Sequence, residues 1–225
     1  MIANKIIYGT VLNLFLWVGW AYAQNNDLQL WTNISIEKKL TKTFSLNYSE
    51  EVRFNENISE VGQFFSDVGG TYKISKSWRI SVNYRFANKR QLDDSYSKRH
   101  RYYVDLSFRK KFDPVVLMFR TRFQSQYKDV FSSYTGKIPE HYSRNKLTLK
   151  FDLDKKYNPY LSAEMFYQLN NPEGNKIDNM RYSVGLEYAF NKRTSLDFYY
   201  MIQQEYSVSN PERDFVIGAG YQYSF

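Results

Sequence analysis

The chain has 225 residues, a formal charge of +8, 21 Tyr, 17 Phe and no Cys. That length suits one domain, and the missing cysteine excludes disulfide frameworks and thiolate metal sites. Beyond the first 23 residues no apolar run approaches the roughly 20 residues of a spanning helix, which excludes a helical membrane bundle.

Met1 to Ala23 has the pattern of a cleaved secretory signal. Lys5 gives the positive start, Ile6 to Trp20 is mostly apolar, and Ala21-Tyr22-Ala23 is a small-x-small cleavage site before the polar Gln24-Asn25-Asn26-Asp27. Gly9, Thr10 and Asn13 weaken the rival reading of a membrane anchor. The expected organisation is a signal peptide over 1–23 and one domain over 24–225. Cleavage removes Lys5 and lowers the charge from +8 to +7. The remaining basic residues lie in turns and on polar strand faces rather than in one patch, so no nucleic-acid partner is expected.

From Leu28 onward, apolar and polar residues alternate with period two, the signature of a strand with two unlike faces. The series begins with Leu28, Leu30, Ile34 and Ile36, then Phe44 to Phe54, Phe64 to Ile74, Trp78 to Phe86 and Tyr102 to Phe112. It continues through Val115 to Phe123, Leu147 to Leu153, Leu161 to Leu169, Tyr182 to Phe190 and Leu196 to Ile202. The last set is Ile217, Ala219, Tyr221, Tyr223 and Phe225. Each runs about ten residues, enough to cross a bilayer at a tilt. Short basic turns such as Lys39–Lys42 and Asn191–Arg193 alternate with longer polar loops such as Asn55–Glu60, Asn88–Arg99 and Lys128–Tyr142. Short periplasmic turns and longer outer loops mark an outer-membrane barrel.

The expected fold is therefore all-β, an antiparallel up-and-down transmembrane β-barrel of 10–12 strands. Eleven segments are legible, whereas single-chain bacterial barrels normally have an even number, which points to ten or twelve. Either Gln24–Asp27 threads the lumen, or the first segment is not a wall strand, or a strand is missed. A soluble two-sheet sandwich is the alternative, but it would leave the aromatic terminal strand as a sticky edge. That terminal strand, through Tyr221, Tyr223 and Phe225, also resembles the signal read by the outer-membrane assembly machinery. Outer-membrane lipid and that machinery are the expected partners, and the chain is expected to be a monomer in the cell outer membrane.

The inward parity carries Glu51, Arg53, Arg79, Arg85, Arg101, Asp105, Arg109, Arg120, Arg122, Arg144, Lys146, Lys150, Asp152, Glu164, Arg181, Glu187 and Asp197. A narrow lumen forces such groups together, so a structural barrel filled by Arg–carboxylate pairs is the first functional reading. The second is a small anion-selective channel. Arg120, Arg122, Arg144, Lys146 and Lys150 form a contiguous basic stripe suited to acidic sugars or phosphates, similar to the arginine tracks of small channels for acidic oligosaccharides. The third is a lipid-modifying hydrolase. With Phe112 opposite Val115, Tyr102 faces Ser125, and His100 lies one diagonal step from Ser125 on the lipid-facing parity. Asp93, Asp94 and Asp129 are loop candidates for an orienting group, and no clear third member emerges. The expectation is a non-enzyme with no catalytic residues, metal or cofactor.

Asp27-Leu28-Gln29-Leu30-Trp31, Glu50-Glu51-Val52-Arg53-Phe54, Tyr84-Arg85-Phe86, Arg120-Thr121-Arg122-Phe123 and Glu164-Met165-Phe166 occur in that order. Together they resemble the bacterial domain-of-unknown-function 2490 family, common in Bacteroidetes. The resemblance spans the mature chain and implies an outer-membrane-type barrel with no established activity. Its recurring polar positions match Trp31, Glu51, Arg53, Arg85, Arg120, Arg122 and Glu164, all inward by parity, which implies a shared lumen network.

Overall fold

A segment with one apolar and one polar face must hide the first from water and pair its backbone on both edges; a sheet closed on itself does both. The computed structural model describes residues 26–128, 139–153 and 156–225, so the expected signal peptide lies outside the described residues. All eleven segments are strands: β1 (Asn26–Lys39), β2 (Phe44–Asn55), β3 (Glu60–Lys73), β4 (Trp78–Arg90), β5 (Tyr96–Phe112), β6 (Val115–Lys128), β7 (Glu140–Phe151), β8 (Tyr157–Gln168), β9 (Lys176–Ala189), β10 (Thr194–Glu205) and β11 (Arg213–Ser224). Each pairs with its neighbour in the chain, and β1 closes the barrel against β11.

The wall has eleven strands, within the expected 10–12, and is antiparallel everywhere except at this closure; only the expectation of an even count fails. Strands that alternate in direction leave the first and the eleventh running the same way, so they can join only in parallel. The seam does so over an unbroken register from Asn26↔Arg213 through Trp31↔Gly218 to Glu37↔Ser224. The Leu28 segment is thus a wall strand, and Asp27 belongs to it rather than to a thread through the lumen.

The burial is inside out for a soluble protein. Ile34, Val82, Phe123 and Phe198 on the outer face are each more than half exposed, whereas Asp67, Asp105, Arg122, Arg144 and Glu164 on the inner face are buried. A sandwich would reverse both sets, so the sandwich alternative falls.

Short side chains build the turns at the end that carries Phe225. Thr41 Oγ1 accepts from the Phe44 amide at 2.9 Å, Ser75 Oγ from the Trp78 amide at 3.1 Å, and Asn191 Oδ1 from the Arg193 and Thr194 amides at 2.7 and 2.9 Å. These are the side-chain-to-backbone turns that Ser, Thr and Asn favour. Connections at the opposite, loop end are longer, except Glu56–Ser59, which is as tight as a turn and carries three left-handed residues, Glu56, Asn57 and Ile58.

An apolar core lies inside the barrel beneath the parallel seam. Trp31 of β1, Met201 of β10 and Val216 of β11 are buried together, with Tyr199 packed against them. Tyr199 lies flat over Gly218, where an added Cβ would sit 2.0 Å from the ring. Gly218→Ala should therefore expel the ring and lower stability by about 2 kcal/mol, the usual range for overpacking. In a Tyr199→Ala background the same substitution should be nearly neutral, read as the urea midpoint of the barrel in lipid vesicles.

Candidate functional site: an arginine–aromatic belt across the lumen

Inward residues at one level of the wall form a nearly continuous belt. Reading round the barrel, β1 supplies Trp31, β2 Arg53, β3 Phe65, β4 Arg85, β5 Tyr103, β6 Arg122, β7 Arg144, β8 Phe166 and β9 Arg181. The guanidiniums and rings stack. Arg85 lies 3.7 Å from the Phe65 centroid, Arg53 lies 5.1 Å from Phe65 and 3.5 Å from Trp31, and Arg181 lies 5.1 Å from Trp31 and 4.6 Å from Phe166. Arg144 closes that run 4.1 Å from Phe166, and Arg122 sits 3.7 Å from Tyr103. Guanidinium is planar and weakly hydrated, so an aromatic face can replace part of its lost water. Two wall irregularities, at Arg53/Phe54 and Phe166/Tyr167, fall next to belt residues; bulges of this kind re-aim side chains.

Carboxylates tie the belt at its edges. Arg53 Nε donates to Glu51 at 2.6 Å, Arg85 Nε to Asp67 at 2.8 Å, and Arg122 to both oxygens of Asp105 at 2.6 and 2.7 Å. Glu164 Oε1 accepts from Arg144 Nη2 at 2.8 Å and from Arg120 Nη2 at 2.6 Å. Tyr103 donates its hydroxyl to the second oxygen of Asp67 at 2.7 Å, joining the β3–β4 pair to the Arg122 side of the belt. Trp31 is pinned by donating to Gln29, whose amide donates to Asp27.

Of the cations that line the central cavity, three lack such a partner among the described residues. Among the described residues, Arg101, Lys146 and Arg181 have no carboxylate within 4.0 Å. Arg101 donates instead to the neutral Gln126, and Arg181 to Gln203 at 2.7 Å. All three line a central cavity of about 280 Å³ whose wall holds eight Arg and Lys but only Glu51 and Glu164 as acids. Lys146 also lines two of the cavities next to this one, of about 530 and 370 Å³, and so stands where they meet. The 530 Å³ cavity includes Thr148, Lys150, Ser195, Asp197, Gly220 and Gln222, and a further one of about 420 Å³ lies among Asn33, Ser35, Asn47, Asn83 and Gln222.

The sequence-derived residues Trp31, Glu51, Arg53, Arg85 and Glu164 meet in this belt. The basic stripe divides: Arg120, Arg122 and Arg144 are held by carboxylates, Lys150 donates to Glu187 at 2.7 Å, and Lys146 lies across from Glu164 without pairing to it. The sequence-derived site set omits Phe65, Tyr103, Phe166 and Asp67. Their signal was present, since an aromatic at a polar-parity position of a strand has no lipid to face.

On the outer surface the register Phe112↔Val115 and Tyr102↔Ser125 is as expected, with His100 opposite Tyr127. His100 nevertheless bonds to the Tyr84 hydroxyl at 2.7 Å, and Ser125 Oγ meets His141 Nδ1 at 2.8 Å, because His141 is its direct partner on β7. Among the described residues no carboxylate holds the other ring nitrogen of His141; Asp129 lies outside the described residues. Tyr221, Tyr223 and Phe225 lie on the outer face of the last strand, with the Tyr223 and Phe225 rings edge to face at 4.7 Å.

The sequence matches the model of a protein family of unknown function, DUF2490, over residues 28–214. The chain belongs to the DUF2490 family. No curated protein matches the sequence. Among solved structures this DUF2490 barrel is similar to a NanC porin, 12% identical over 78% of this chain and 86% of that one, at a TM-score of 0.50. It is equally similar to the β-domain of the Bordetella autotransporter BrkA, 11% identical over 83% of this chain and 86% of that one, also at 0.50. A KdgM porin aligns over 85% of this chain and 89% of that one, at 17% identity and a TM-score of 0.47. The NanC and BrkA likenesses establish the fold, a closed barrel of the outer-membrane type.

Arg122 and Asp105 form a buried, bidentate pair, so removing one partner strands the other. Arg122→Met should cost about 3–5 kcal/mol, whereas Arg122→Met with Asp105→Leu should cost much less. Equilibrium urea unfolding in lipid vesicles reads both.

Proposed function

We propose that this DUF2490 barrel is a passage for small anionic solutes across the outer membrane, with the arginine–aromatic belt as its selective constriction. One observation carries the reading: the central cavity holds cations with no carboxylate of their own. A belt evolved only to fill the lumen gains nothing from excess buried charge, which costs several kcal/mol per unpaired ion. A carboxylate or phosphate group in the cavity supplies the missing partner to Arg101, Lys146 and Arg181. The stacked, carboxylate-tied guanidiniums around them stay fixed and keep the site open to an anionic group. Rings of Arg and Lys of this kind select anions. Acidic sugars and phosphorylated solutes both fit this chemistry.

The continuous stack of rings and guanidiniums favours a second reading, a purely structural barrel with a charge-filled lumen. Neither reading uses catalysis. The Ser125–His141 pair offers a base to a hydroxyl but lacks an orienting acid among the described residues. Delivery to the membrane rests on cleavage after Ala23 and on reading of the Tyr221–Tyr223–Phe225 strand by the assembly machinery. The belt is complete within one chain, so a single copy suffices for passage.

Planar-bilayer recording of the refolded mature protein under a salt gradient decides between the readings. Discrete steps with an anion-selective reversal potential are expected. Lys146→Glu with Arg181→Gln should move that potential toward cations, since it removes two positive charges and adds a negative one in the cavity without touching a paired guanidinium. A folded barrel that stays silent overturns the passage and supports the filled lumen.

A further inference from the structure

Glu50 faces away from the lumen. Its neighbours on the same side of β2 are Tyr48 and Val52, and its cross-strand partners are Ile34 on β1 and Ser66 on β3. Among the described residues it is the one charged side chain in the interior of a strand that points outward; every other lies within two residues of a strand end. It stands five residues from the loop end of β2 and six from the turn end, at mid-height of a largely apolar wall. An ionisable group at that depth is expensive and marks a functional position by default. The protein partly provides for it: Ser66 donates to Oε1 at 2.7 Å, and the Tyr48 hydroxyl donates to the same oxygen. Oε2 has no partner among the described residues.

A second polar patch lies at the same height, a little over a third of the way round the wall. Asn145 on β7 points outward, five residues from the loop end and six from the turn end of its strand. Thr121 donates to its carbonyl oxygen at 2.6 Å, and its amide reaches Ser143 at 3.4 Å, which leaves one amide N–H without a strong acceptor. The β2–β3 and β6–β7 walls are four strands apart in the eleven-strand ring. One patch is an acceptor, the other a donor, at matched depth on chains inserted the same way.

We propose that these patches join copies of this protein head to tail in the membrane, the Asn145 amide of one copy donating to Glu50 Oε2 of the next. Polar side chains bridge membrane segments because lipid offers them no partner. Contact between two different patches is heterologous, so copies add on in a row or close into a ring rather than stop at a pair. The surface is separate from the lumen, and the proposal does not depend on the passage reading.

The chain has no native cysteine, so introduced ones report the contact directly. Val68, diagonal to Glu50, and Leu147, beside Asn145, both lie on the turn side of their patches. In outer membranes treated with copper phenanthroline, Val68→Cys with Leu147→Cys in one chain should give a ladder of disulfide-linked species. A mixture of the two single variants should stop at dimers. Adding Glu50→Leu should reduce the ladder about tenfold, the effect of one lost hydrogen bond of about 1.4 kcal/mol, while the barrel stays folded by gel mobility. Dimers of Val68→Cys alone would mean a two-fold contact and overturn the row. A ladder unchanged by Glu50→Leu, or an equal one from Val184→Cys with Leu147→Cys, would mean random collision and overturn the contact.

Discussion

A guanidinium taken out of water can be held in two directions at once, by a carboxylate at its edge and by an aromatic ring on its face, and the lumen depends on both. Arg53 shows the pair of contacts most compactly, with Glu51 at 2.6 Å in its plane and Trp31 at 3.5 Å beneath it. Arg85, Arg122 and Arg144 repeat the arrangement with Asp67 and Phe65, Asp105 and Tyr103, and Glu164 and Phe166. Four strand pairs thus bring the same unit to one level of the barrel. Arg181 breaks the rule: it has rings on both sides but only the neutral Gln203 at its edge. Four guanidiniums of the belt are therefore paired with a carboxylate and one, Arg181, is not.

The barrel is also asymmetric around its circumference. The charged part of the belt is built on β2 to β9, whereas at the level of the belt β1, β10 and β11 meet the lumen with Trp31, Met201, Tyr199 and Val216. That apolar side backs the parallel seam, whose ladder is slightly weaker per residue than an antiparallel one. Packing Tyr199 over Gly218 and Trp31 against Val216 strengthens from within a junction that backbone bonding alone leaves as the weakest in the wall. Trp31 belongs to both halves, since Arg53 stacks on it from one side and the apolar core from the other.

On the outer surface the same physics runs in reverse. Apolar side chains need no partner in lipid, so the polar ones stand out: Glu50 with Ser66, Asn145 with Thr121, and Ser125 with His141. Each is a cross-strand pair that satisfies part of its hydrogen-bonding capacity within the wall. Ser125 and His141 do so close to the loop end, near the interface where polar groups are tolerated, whereas Glu50 and Asn145 do so at mid-height.

The sequence by itself determined the strands and their faces, because period-two alternation is a local property of the chain. Inward placement of Glu51, Arg53, Arg85, Arg120, Arg122 and Glu164 followed from parity alone. Even the Tyr102↔Ser125 register followed, from a two-residue turn between Phe112 and Val115. Only the tertiary structure decided how the barrel closes, because parallel pairing of β1 with β11 joins residues almost two hundred positions apart, where no local pattern reaches. It also decided which inward charges are paired. Parity places Lys146 and Lys150 on the same stripe, but Lys150 reaches Glu187, whereas Glu164, the register partner of Lys146, bonds to Arg120 and Arg144 instead. Likewise parity put His100 near Ser125, while the β6–β7 register set His141 directly beside it. Face is set by the neighbour in sequence; partnership is set by the neighbour across the wall, and only closure of the sheet fixes that.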